Sequence, residues 1–161
     1  MDPTLSNCLS DMTTRLATIS ATPAADHLAD VQAYLGHCFT LDTARRAGLD
    51  DADAAVLQDH LAQSAPSIET AWSAFDVDGG EALRVWMQQE LTGNDWITIC
   101  QRRSNIEAFN DLFADHVADD KLIDTEELDD DIRAKAEFEA MPNPDRTPSD
   151  LPASHWWWAL T

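Results

Sequence analysis

Residues 109–132 read FNDLFADHVADDKLIDTEELDDDI, and the class of the fold turns on this stretch. Ile106, Phe109, Phe113 and Val117 recur on one helical face, an acidic connector follows, and Leu128, Ile132 and Ala136 resume a helical stripe. Asp124 and Glu127 stand at capping-box spacing ahead of that second stripe, where negative charge also complements the helix dipole. From Glu107 to Asp131 the chain carries eleven acidic side chains and one base, Lys121. Like charges packed this closely repel one another, face solvent and suit a cationic partner. Asp119, Asp120, Glu126, Glu127, Asp129, Asp130 and Asp131 are therefore the candidate partner-binding carboxylates.

Outward from this stretch the chain reads as further helices. Leu5, Cys8, Leu9, Met12, Leu16 and Ile19 share one face of a first helix, which Ala21-Thr-Pro-Ala breaks. Leu28, Val31, Leu35, Cys38 and Phe39 form a second, and the two are expected to pack antiparallel. A short polar connector ends at Gly48. Asp50 and Asp51 can then cap a third helix whose inward residues are Ala54, Leu57 and Leu61. Ser64-Ala-Pro66 is read as the end of that helix and the start of the next, which buries Ile68, Trp72 and Phe75. Asp76-Val-Asp-Gly-Gly80 signals a turn, Leu83, Trp86, Met87 and Leu91 return to helical phase, and Gly93-Asn94 closes that helix. Trp96-Ile-Thr-Ile-Cys100 is rich in β-branched residues, but no second strand exists to pair with it, so it is taken as helical. After Met141, four prolines between Pro142 and Pro152 forbid a helix and predict an extended tail ending in Trp156, Trp157 and Trp158. The expected architecture is all-α: a single-domain bundle of seven or eight helices over 1–141, with an extended Pro-rich, Trp-terminated tail over 142–161.

Length and composition bound the function. At 161 residues one domain can bury a core unaided. No apolar run approaches the roughly 20 residues that cross a bilayer, and the acidic, polar start does not resemble a secretory signal, so a cytoplasmic location is expected. Cys8, Cys38 and Cys100 are odd in number and widely spaced, which favours buried, reduced thiols over a disulfide framework or a metal knuckle. Thirty acids against ten bases give a formal charge of −20. That balance disfavours direct nucleic-acid binding, where cations must neutralise phosphates, and favours a basic protein surface as partner. A salt-loving source would also account for abundant Asp, but a general solubility requirement would spread the acids rather than gather them.

Three windows share a layout of helix ending in Phe, acidic connector, apolar residue and helix: CFTLDTARRAGLDDADAAVL, AFDVDGGEALRVWM and LFADHVADDKLIDTEEL. The first and last resemble EF-hands and equally the acidic helix pairs of TerB-like tellurite-resistance domains, in the pattern ADDKLIDTEEL. The EF-hand resemblance implies calcium held by Asp120, Asp124 and Glu127 at loop positions 5, 9 and 12. His116, Ala118 and Lys121 then fall at positions 1, 3 and 6, where the pattern needs two oxygen ligands and a glycine. The window at Asp42 offers Asp50 and Asp53 but places Arg46 at position 5, and the window at Asp76 has Asp78 but loses its final ligand to Met87. No loop is complete, and no cofactor is expected.

The histidines His27, His37, His60, His116 and His155 show no zinc-ligand spacing, and no nucleophile elbow or phosphate-binding glycine pattern occurs. The expected function is therefore non-catalytic: an acidic protein that occupies a basic surface of a nucleic-acid-binding protein or a larger enzyme complex, as inhibitor, immunity-type protein or nucleic-acid mimic. An accessory or assembly subunit anchored by Trp156, Trp157 and Trp158 is the alternative, and a degenerate calcium-binding protein a third. Three adjacent indoles on an extended segment point in different directions and need a groove to receive them, either on a partner or on the chain's own helices. Proline stiffening favours the partner, because little entropy is lost when such a segment docks.

Overall fold

The computed structural model describes residues 2–21, 28–76, 89, 95–139 and 150–160, and of 21, 28, 72–76 and 139 the backbone alone. Among the described residues the fold is all-helical, with five α-helices: α1 (Pro3–Ala21), α2 (Leu28–Gly48), α3 (Asp51–Asp76), α4 (Trp96–Phe113) and α5 (Glu126–Glu139). Short 3-10 turns occupy Asp119–Lys121 and Trp156–Ala159. The expected turn at Asp76–Gly80, the helix over Leu83–Leu91, the packing of Trp72, Phe75 and Trp86, and the Pro-rich run before Asp150 lie outside the described residues.

Carboxylates start the helices. Asp50 accepts from Asp53 N–H at 2.8 Å and Asp95 from Thr98 N–H at 2.9 Å, each satisfying an amide that the helix itself cannot. Gly48, with φ at 98°, closes α2 in the left-handed region that a side chain would strain. Arg15 of α1 bonds Asp30 of α2 at 2.7 Å, and Asp11 bonds His37 at 2.7 Å. Numbers fall along one helix as they rise along the other, so α1 and α2 are antiparallel. Asp2 and Ser20 instead reach Asp53 and Ser67 of α3, so α1 and α3 run parallel. α2 lies between α1 and α4, and α3 touches both α1 and α4. α4 is buried on most of its circumference, from Trp96 and Ile99 through Phe109 to Phe113, which makes it the central helix.

One expected break between helices is absent and one expected connector is helix. α3 continues through Pro66, because Leu57, Leu61, Ala65, Ile68 and Ala71 keep one unbroken buried stripe while Pro66 itself is exposed. The amide that proline lacks is thus lost on a solvent-facing turn, where the freed carbonyl meets water. α2 likewise runs past Phe39 to Gly48, so the polar connector expected there is helix. Leu41 and Asp42 are both fully buried, and Asp42 enters the interior because Arg45 and Arg46 bond its two oxygens at 2.6 and 2.8 Å. The window from Asp42 to Asp53 is consequently not a loop. Trp96–Cys100 and Ile106–Phe113 form one helix, and Val117 sits just beyond its end, still buried.

Candidate functional site

Between α4 and α5, residues 114–125 are held by few anchors. Asn110 pairs with the backbone of Ile123 in both directions, its amide donating to the carbonyl and its oxygen accepting the N–H, each at 2.9 Å. Val117 and Ile123 insert into the core, and His116 reaches Gln58 of α3 at 3.1 Å. The acids between and after these anchors are thereby left outside. Asp119, Asp120, Asp124, Glu126, Glu127, Asp130 and Asp131 are all exposed. Lys121 approaches Asp120 at 3.8 Å, and Arg133 bonds Asp130 at 2.8 Å. Asp124 caps the start of α5 by accepting from Glu126 N–H at 3.0 Å, while Glu127 faces solvent rather than closing the expected capping box with it. Leu128 and Ile132 turn inward, so Glu127, Asp131, Ala134 and Phe138 form the outward stripe of α5, and Phe138 retains 86% of its surface.

Asp129 departs from its acidic neighbours. Its two oxygens receive Arg103 Nε at 2.6 Å and an Arg103 terminal nitrogen at 3.1 Å. Arg103 is 4% exposed and also bonds Glu107 at 2.7 Å and the Thr125 hydroxyl at 3.0 Å. The planar guanidinium suits this role, since its fork of donors saturates two carboxylates and a hydroxyl at once while its face stacks on Trp157, 4.3 Å from the ring centroid. Asp129, expected on the partner-facing surface, is thus a structural ligand of a buried cation.

Trp157 is fully buried and Trp158 nearly so, both covered by the chain's own helices. Trp156–Ala159 are a 3-10 turn rather than extended, and its roughly three residues per turn splay adjacent indoles around the segment instead of alternating them across it. Trp157 and Trp158 both donate their indole N–H to Ser104 Oγ, at 3.1 and 2.9 Å, and Trp157 shares its proton with the Cys100 carbonyl at 3.1 Å. His155 Nδ1 meets the same hydroxyl at 3.0 Å. Trp156 is half-buried under Arg133 of α5, 4.4 Å from its ring centroid, and Arg46 of α2 donates to the Asp150 carbonyl at 2.6 Å. Residues 150–160 therefore clasp α2, α4 and α5 together.

Burial raises the Cys100 thiol to about 12 and also raises the Cys8 thiol, and all three cysteines are buried and unbridged. The Ser104 hydroxyl has no access to solvent, so its contact with His155 serves packing and hydrogen bonding in the state described. Among the described residues no three His, Cys, Asp or Glu side chains gather as a metal ion would need, Asp120, Asp124 and Glu127 included. No described helix is long and apolar enough to cross a membrane. Arg103, Ser104, Asp42 and Phe138 were not singled out by periodicity, although a signal existed for all but Asp42. Arg103 and Ser104 fall three and four residues after Cys100, on a buried stripe where polar side chains imply partners, and Phe138 is out of phase with Leu128, Ile132 and Ala136. No family model matches the chain, and comparison with curated proteins and with solved structures finds no match.

Proposed function

We propose that this chain is a non-catalytic acidic interaction protein that covers a basic surface of a partner protein, as an inhibitor, an immunity-type protein or a nucleic-acid mimic. One observation carries the reading: Asp119, Asp120, Glu126, Glu127, Asp130 and Asp131 are exposed together along the connector and the first turns of α5. Asp42, Glu107 and Asp129 are withdrawn and paired with arginines, and the outward set is left for solvent or a partner. Phe138, at the far end of the same outward stripe, supplies an apolar contact beside the charge. Carboxylates would speed encounter with a cationic surface, and the aromatic ring would lengthen residence. The alternative of a tail-anchored assembly subunit has less support, since two of its three indoles are covered by the chain itself.

The test is affinity capture with the parent chain and with a variant carrying Asn or Gln at those six positions, at about 50 and 500 mM salt, where screening lengths differ several-fold. A basic protein retained by the parent at low salt, lost at high salt and lost by the variant is the expected result. On the purified partner the variant should show a slower association rate with a similar dissociation rate. Identical capture by both chains at both salts would assign the charge to solvation alone.

A further inference from the structure

The hydrogen-bond capacity of Ser104 dictates the protonation state of His155. Indole N–H groups only donate, so Trp157 and Trp158 occupy the two lone pairs of the Ser104 oxygen. The hydroxyl's one proton is left for His155 Nδ1, which must therefore be an acceptor, placing the imidazole proton on Nε2. His155 is 3% exposed, its Nε2 is buried without a hydrogen-bond partner, and its ring is packed between Phe39 at 6.4 Å and Trp157 at 4.9 Å between centroids. A second proton on Nδ1 would face an oxygen with no lone pair to offer, and would put a charge where water cannot reach it.

We propose that residues 150–160 are an acid-released strap: protonation of His155 removes the acceptor required by the Ser104 hydroxyl and undocks Trp157 and Trp158 from α4. The charged groups that face His155 do not rescue the imidazolium. Glu107 on α4 and Asp42 on α2 favour it, Arg103 on α4 and Arg46 on α2 oppose it, and burial outweighs them all, so the docked imidazole titrates below its ordinary range. An undocked His155 takes up its proton near pH 6.5, ahead of the docked one. Docking is consequently at full strength above that pH and weakens as pH falls through 6.5 toward the docked value. The docking equilibrium falls at most about tenfold per pH unit across that interval and levels off below the docked value. Release would free three tryptophans and the Cys100–Ser104 face of α4 while leaving the contacts between α1, α2 and α3 untouched.

Nuclear magnetic resonance on the isotopically labelled full chain tests this directly. At pH 7.5 the His155 ring is expected as the Nε2–H tautomer, with slow solvent exchange at the Trp157 and Trp158 indole protons. By pH 5 the protection of those two protons, corrected for the intrinsic exchange rate, should fall, by no more than about 30-fold, while amides of Met12 and Leu16 in α1 keep theirs. His155→Asn retains an acceptor oxygen where Nδ1 lies and cannot titrate, so it should hold both indoles protected down to pH 5. The proposal is overturned by an Nδ1–H tautomer at pH 7.5, by indole protection in the parent that does not change with pH, or by the same loss in His155→Asn. Loss of the α1 amides in step with the indoles also overturns it, because the event would then be global unfolding. Should His155→Asn fail to fold, the tautomer and the parent's protection profile still decide.

Discussion

Arg103 shows how much organisation one side chain can carry in this protein. It sits almost fully buried on α4, donates to three carboxylate oxygens of Asp129 and Glu107, and lies against Trp157. A guanidinium is expensive to bury, and only saturation of its donors makes the position tolerable. Removing it leaves two partly buried carboxylates without a cation, so Arg103→Met is expected to lose about 3–5 kcal/mol in urea unfolding, against less than 0.5 kcal/mol for an ordinary surface change. Adding Glu107→Leu and Asp129→Leu to that variant should recover much of the loss, since an apolar replacement of the whole group leaves no charge unpaired. A single variant within about 1 kcal/mol of the parent would mean that Asp129 and Glu107 turn to water freely and that Arg103 does not hold α5. Asp129 itself could not be told from Asp130 or Asp131 in the sequence, because charge patterning reports neighbours along the chain and not the arginine that arrives from another helix.

Among the elements, α3 and the C-terminal strap differ most from what periodicity predicts. In α3 the evidence for continuity was present in the residues: Leu57, Leu61, Ala65, Ile68 and Ala71 stay in phase across Pro66. Proline is a strong local signal, and a long buried stripe outweighs it when the missing bond falls on the wet side. For the strap no local signal existed. Whether three adjacent indoles meet a partner or their own chain depends on the shape of α4 and on Ser104 being there to accept two N–H groups. Deleting residues 150–161 removes three indoles, of which the two buried rings hide roughly 200 Å² each, and at about 25 cal/mol per Å² their burial is worth several kcal/mol even after allowance for a compact unfolded state. The truncated chain is therefore expected to melt about 10 °C or more below the parent in a calorimetric scan, by the usual scaling of stability with melting temperature for this size. An unchanged melting temperature would show that the docked tail adds nothing to the body and would restore the tail to the list of partner anchors.

For the whole molecule, charge sets the terms. A formal charge of −20 opposes compaction, and among the described residues the fold pairs Asp42 and Asp129 with arginines while leaving the acids of the connector and the outer face of α5 exposed. Screening should therefore stabilise it. The melting temperature is expected to rise by several degrees between about 10 and 150 mM sodium chloride, as the screening length shrinks from about 30 to 8 Å. A flat or falling curve would mean that the paired arginines contribute more than the repulsion costs. The same rise should be smaller in the variant neutralised at the six exposed positions, which ties the effect to the connector and α5.

The sequence by itself determined that this protein is helical, where α1 and α5 lie, that α3 starts at the Asp50-Asp51 pair, and that the stretch from Glu107 to Asp131 cannot be neutralised by its own residues. These follow from periodicity, capping and charge count, which are properties of neighbours along the chain. Only the tertiary structure decided that Pro66 stays inside a helix, that Asp42 and Asp129 are interior ligands of arginines, and that Trp157 and Trp158 close on Ser104. Each of these depends on which groups distant in sequence arrive within hydrogen-bonding range, and on whether water is still present when they do.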